Sequence, residues 1–105
     1  MLQSALRHGL IGLLLVTPAL AAPTAEQRGQ AFARANCARC HAVNRTSESP
    51  LKVAPPLRIL HRRYPIETLE EALAEGISTG HANMPVFELS PDQIHDLLSY
   101  LKTLE

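Results

Sequence analysis

The sequence predicts a small all-α domain, with three main helices and proline-rich loops wrapped around something other than the protein's own aromatic side chains. Three observations lead there. Apolar residues recur at helical spacing in three stretches, whereas no alternating β pattern of useful length and no internal repeat appears. At 105 residues the chain holds one domain at most. Its aromatic set is Phe32, Tyr64, Phe87 and Tyr100, with no Trp, which is too little to fill a core unaided.

Ahead of the first helix lies a leader. Arg7 and His8 form a short polar start, residues 9–16 an apolar run, and Pro18 precedes the A-x-A pattern Ala19-Leu20-Ala21. This reads as an export signal over residues 1–21, cleaved after Ala21 or Ala22, with residues 22–105 as the domain. An uncleaved anchor would need ~20 apolar residues in a row; this run is roughly 8–12, and Pro18 interrupts it. Export to the periplasm would place the two cysteines in an oxidising compartment. Ten basic side chains balance ten acidic ones, and losing Arg7 with the leader tips the balance one charge to the acidic side. That excludes nucleic acid or an anionic membrane surface as the main partner, because both require a basic excess.

The first helix is expected over 25–36, after Pro23-Thr24. Thr24 suits the N-cap and Gln27 the reciprocal capping-box position. Gly29, Phe32, Ala33 and Asn36 share one face. A glycine inside a helix costs about 1 kcal/mol relative to alanine, so Gly29 suggests a close helix–helix contact. Over 42–63 no period holds, and Pro50, Pro55 and Pro56 forbid a continuous helix, leaving loop with a short turn at 57–61. A second helix fits 66–75, opened by Pro65 and closed by Gly76, with Ile66, Leu69, Ala72 and Leu73 as its apolar face. Another loop covers 78–89. The third helix has the clearest cap: Ser90, then Pro91 at the first helical position, then Gln93 in the capping-box place. Ile94, Leu97, Leu98 and Leu101 make its apolar face, with Tyr100 beside them.

The chemistry sits in Cys37-Ala38-Arg39-Cys40-His41, a C-x-x-C-H motif and the signature of c-type haem attachment. Two thiols a helical turn apart can each form a thioether to the vinyl groups on one side of the macrocycle. His41, next in line, then projects beneath the ring, where an imidazole nitrogen reaches the iron. Three rival readings compete. A thioredoxin-like dithiol needs a βαβ context that the sequence lacks. A zinc site needs four ligands, and only His41 with the scattered His61, His81 and His95 could join the cysteines. A structural disulfide would close a very short loop and stabilise little. On the far side of the iron, Met84 is the one methionine besides the initiator and stands in a loop before Pro85. Its soft thioether, paired with histidine, would raise the reduction potential. His81 is the competitor, and core filling is the plain alternative for Met84.

At these residues the chain resembles a class I monohaem cytochrome c of the small bacterial periplasmic type, over nearly all of residues 22–105. Gly29, eight residues before Cys37, stands where that family's first helix carries its contact glycine, and Leu97 and Tyr100 match the pair on the last helix that crosses it. Pro55-Pro56-Leu57 is similar to the family's G-P-x-L segment, whose proline carbonyl accepts a hydrogen bond from the proximal histidine. The resemblance therefore implies that Pro55 orients His41 from behind. The stretch from Gly80 to Phe87, containing Met84-Pro85, resembles the methionine loop. Two departures stand out: Ala54 replaces the glycine before Pro55, which questions the loop's route, and there is no Trp to meet a haem propionate. Arg58, Arg62, Arg63 and Tyr64 are candidates for that task, with solvated surface as the plainer reading.

The function so implied is a periplasmic one-electron carrier rather than an enzyme. Haem c is held by Cys37 and Cys40, its iron by His41 and Met84, and redox partner proteins are met transiently, with no stable membrane insertion after signal cleavage. The alternative is a haem-c subunit of a periplasmic dehydrogenase or oxidase, which tight co-purification with a larger chain would reveal. A haem enzyme or gas sensor would instead need an open iron position. Donor, acceptor, potential and oligomeric state are not written in the sequence.

Overall fold

Local chemistry sets the helix starts. The computed structural model describes residues 9–76 and 84–105. Helix α1 spans Ala25–Asn36, as its spacing predicts. Thr24 Oγ1 accepts from the Gln27 N–H at 3.2 Å, and the Thr24 N–H donates to Gln27 Oε1 at 2.9 Å, so two donors that a helix start leaves unpaired are satisfied reciprocally. Helix α3, Pro91–Lys102, repeats the device with Ser90 and Gln93 at 3.2 and 3.0 Å.

The middle of the chain winds more tightly. A 3₁₀ turn occupies Leu57–Arg62, where the sequence predicts a short turn. The expected helix over 66–75 divides into a 3₁₀ turn, Ile66–Thr68, and helix α2, Leu69–Glu75. Pro65 has no N–H, and its carbonyl accepts from both the backbone N–H and the hydroxyl of Thr68, at 3.0 and 2.7 Å, which tightens that first turn. Gly76 ends α2 in the left-handed region at φ 73°, its N–H on the Ala72 carbonyl at 3.1 Å. Among the described residues there is no strand, and no helix is long and apolar enough to cross a membrane. The fold is all-α.

The core forms where α1 and α3 cross. Gly29 and Ala33 of α1 are buried there, and Ile94, Leu97, Leu98, Tyr100 and Leu101 of α3 face them with Leu57, Leu60, Ile66 and Leu104. Each fully buried Leu or Ile contributes on the order of 1.5–3 kcal/mol. The α1 face is narrower than its spacing suggests. Asn36 is exposed, and its amide turns back to donate to the Phe32 carbonyl at 3.0 Å. At Gly29 the approach is close enough that a Cβ would lie 1.9 Å from the Asp96 carbonyl oxygen of α3.

Polar ties fix the crossing. Arg28 grips Asp96 through two 2.9 Å hydrogen bonds and also donates to the Pro23 carbonyl at 2.7 Å. The Tyr100 hydroxyl donates to the Val43 carbonyl, and the Arg45 guanidinium to that of Thr103, so α3 is tied to the chain just after the C-x-x-C-H motif. The Lys102–Glu67 pair at 2.9 Å is solvent-exposed on both sides and adds little. In contrast, residues 9–22 take no regular structure and are exposed throughout, with Leu10, Ile11 and Leu14 more than nine-tenths accessible.

Candidate functional site

Helix α1 delivers the motif. Cys37 caps its C-terminus, and the chain keeps turning: the Cys37 N–H donates to the Ala33 carbonyl at 2.8 Å, and the Cys40 and His41 N–H groups donate to the Cys37 carbonyl at 3.2 and 2.9 Å. Tight turns through 37–41 place the two cysteines one turn apart, with His41 next in line. Both cysteines are free, half-buried thiols. Burial pushes the Cys37 thiol up to about 11, so it is protonated at neutral pH. Among the described residues there is no strand, so the βαβ setting of a thioredoxin-like dithiol does not occur there.

His41 is 9% exposed, and its Nδ1 lies 2.7 Å from the Pro55 carbonyl oxygen. A carbonyl can only accept, so Nδ1 carries the proton and the lone pair of the neutral ring resides on Nε2. The contact survives the exchange of glycine for Ala54. That residue is itself buried at 1% exposure, and its N–H bonds the Leu51 carbonyl at 3.0 Å.

Two adjoining hollows, of about 240 and 110 Å³, open on these residues and form one cleft, since Cys37, His41, Met84 and Phe87 line both. Cys40, Arg39, Leu51, Ala54 and Pro85 add to the outer one. The inner one is walled by Phe32 of α1, Leu57 and Leu60 of the 3₁₀ turn, Leu69 and Leu73 of α2, and Leu97 and Leu101 of α3. Met84 reaches the cleft from an extended segment held against α2 by the Leu89 N–H on the Leu73 carbonyl at 2.9 Å. Pro55 lines the inner hollow as well. All five residues singled out from the sequence therefore meet at one cleft. His81, the rival to Met84, lies outside the described residues.

The donors present are thiol, imidazole and thioether, a soft nitrogen–sulfur set of the kind that haem iron takes, and the remaining walls are apolar enough for a flat macrocycle. Those residues fit a haem. Among the described residues no three of His, Cys, Asp and Glu cluster as a metal ion would need. His61 and His95 do not line the cleft; His95 is exposed on α3. The expected propionate group divides: Arg62 and Arg63 are exposed, Tyr64 borders the inner hollow at 39% exposure, and Arg58 turns instead to the Ser47 carbonyl at 2.6 Å. Glu70, Glu71 and Glu75 are solvated, and Glu67 meets Lys102. Phe87, Leu57 and Leu60 were not legible as cleft residues, because they lie in segments without periodicity; the scarcity of aromatics was the one available hint.

Comparison with known proteins bears on the same residues. Residues 26–105 match the family model described as Cytochrome c. A cytochrome c-553-like protein of Synechocystis sp. (strain ATCC 27184 / PCC 6803 / Kazusa) is 33% identical over 89 residues, covering 85% of this chain and 78% of the relative. No solved structure gives a significant match.

Proposed function

Because the chain belongs to the cytochrome c family and is thus a covalent haem c electron-transfer protein rather than an enzyme, we propose that it is a periplasmic one-electron shuttle with histidine–methionine ligation. The haem, when bound, supplies a single ferric/ferrous couple. Cys37 and Cys40 would hold it by thioethers, and His41, through Nε2, and Met84 would supply the protein's ligands to its iron. Pro55 keeps the His41 ring in one orientation and one tautomer. The apolar wall of Phe32, Leu57, Leu69 and Leu97 would keep water from the site. The observation that carries this reading is the shared cleft of Cys37, His41 and Met84, with the Nδ1 proton of His41 directed at Pro55.

Residues 1–21 are proposed as an export signal removed before the protein works, a reading supported by the exposure of the apolar residues from Leu10 to Val16 and of Leu20. Contacts with redox partners would then be transient and small.

The test is the absorption spectrum of the protein expressed to the periplasm with haem-attachment machinery, before and after Met84→Ala. The reading requires a low-spin covalent haem whose long-wavelength ferric sulfur-to-iron band vanishes in the variant. A spectrum indifferent to Met84 refutes the proposed ligand and turns attention to His81. Rapid carbon monoxide binding by the ferrous wild type at neutral pH would refute closed coordination.

A further inference from the structure

Residues 43–56 form a closed loop between the C-x-x-C-H motif and the first 3₁₀ turn. The Leu57 N–H donates to the Ala42 carbonyl at 2.9 Å and joins the two ends of the loop, an Ω-type arrangement. Both chains at that neck carry the site: His41 precedes Ala42, and Pro55 stands two residues before Leu57. The His41–Pro55 hydrogen bond therefore depends on how rigidly the neck is held. Pro55 and Pro56 lack N–H groups, so they cannot brace it by donating themselves.

Arg58, immediately after the neck, supplies a brace. Its Nη1 donates to the Ser47 carbonyl at 2.6 Å and, more weakly, to the Asn44 carbonyl at 3.5 Å. The accepting end is itself rigid. Asn44 Oδ1 accepts from the Thr46 and Ser47 N–H groups at 3.1 and 2.7 Å, its Nδ2 donates to Ser47 Oγ at 2.7 Å, and Ser49 Oγ accepts from the Ala42 N–H at 3.0 Å. A charged donor thus links a self-bonded turn on the outgoing strand of the loop to the 3₁₀ turn on the incoming one. Charge-assisted bonds of this kind are roughly twice as strong as neutral ones.

We propose that Arg58 is a positioning residue for His41: by clamping the turn at 44–47 to the 3₁₀ turn it holds the Pro55 carbonyl on His41 Nδ1. Through that bond it makes the imidazole a stronger donor. A more basic axial ligand favours ferric iron, so the clamp lowers the reduction potential. This inference rests on the proposed ligation by His41. It adds to the sequence expectation for Arg58, solvated surface or a haem propionate, a bond that the sequence did not announce.

The experiment uses the ferrous holoprotein and follows exchange of the His41 ring N–H by NMR, together with the midpoint potential, in wild type, Arg58→Met and Arg58→Lys. A strongly haem-shifted His41 resonance in wild type establishes ligation first, and its absence overturns the inference together with the functional reading beneath it. With ligation established, the clamp predicts that Arg58→Met speeds His41 N–H exchange at least about tenfold relative to the α1 amides and moves the potential upward. Arg58→Lys, which keeps one charged donor, should recover most of both effects. His41 exchange that merely tracks the α1 amides would reveal general loosening and overturn the clamp. A potential that stays put or falls in Arg58→Met would overturn it equally.

Discussion

Replacing Gly29 by alanine sets two well-known effects against each other. Alanine is the better helix former by about 1 kcal/mol, so in an exposed helix the change would stabilise. Here the added Cβ would lie 1.9 Å from the Asp96 carbonyl oxygen, 2.6 Å from its carbon and 2.8 Å from Tyr100 Cβ. The first two obstacles are backbone of α3 and have no rotamer by which to retreat. Ordinary contact begins near 3.4 Å, so α3 must draw back at that point by roughly 1.5 Å to restore van der Waals spacing. Such a shift also strains the Arg28–Asp96 bonds at 2.9 Å and the Tyr100 bond to Val43. Overpacking typically costs about 1–3 kcal/mol, and a backbone obstacle belongs at the upper end. Net of propensity, Gly29→Ala should lose about 2 kcal/mol, which for a domain of this size lowers the melting midpoint by about 8–16 °C. Thermal melts of the ferric holoprotein by far-ultraviolet circular dichroism, paired with urea titrations, read this directly. A midpoint unchanged within error, or raised, would refute the close crossing.

Two further outcomes follow from the ties around that crossing. Tyr100→Phe removes the hydroxyl from the Val43 carbonyl while keeping the ring, and should cost about 1–2 kcal/mol, read as a lower urea midpoint at unchanged slope. The Arg28 hydrogen bonds hold the Asp96 carboxyl below its ordinary pKa of 3.8. A group depressed in the folded state stabilises above its unfolded value and loses that contribution as pH falls through the folded one. The stability gap between wild type and Asp96→Asn should therefore be full at neutral pH and close on acidification below about pH 4. A gap independent of pH across paired urea titrations would show that the ion pair contributes nothing through charge.

What could be read from the sequence was what neighbouring residues decide among themselves. The capping boxes of Thr24 with Gln27 and Ser90 with Gln93 each lie within four residues, and both helices begin where those pairs put them. The C-x-x-C-H motif is equally local. Gly29 was legible because a glycine in a helix needs a reason, and the reason was a neighbour. The second helix shows the limit, since its opening as a 3₁₀ turn depends on Thr68 folding back on Pro65, a choice that an apolar period does not record. The polar bonds that tie α3 to the chain after the motif left no trace. Tyr100 meets Val43 57 residues away and Arg45 meets Thr103 58 residues away, and nothing around Arg58 announced its bond to Ser47. Asn36 shared the period of a buried face but is exposed, its amide donating to the Phe32 carbonyl.

The pairing of α1 with α3 also sets an order of events for the chain as it is made. Arg28 and Asp96 are 68 residues apart, and closing a loop of that length costs roughly 4 kcal/mol of chain entropy before any contact repays it. Among the described residues it is α3 that meets α1 at Gly29, and α3 is made after the other described helices. A chain emerging amino-terminus first therefore presents Cys37, Cys40 and His41 on an unpartnered segment until α3 has appeared. During that interval the motif is open to whatever enzyme joins haem to its thiols. Once α3 has closed on α1, the bonds from Tyr100 to Val43 and from Arg45 to Thr103 fasten the chain just beyond the motif.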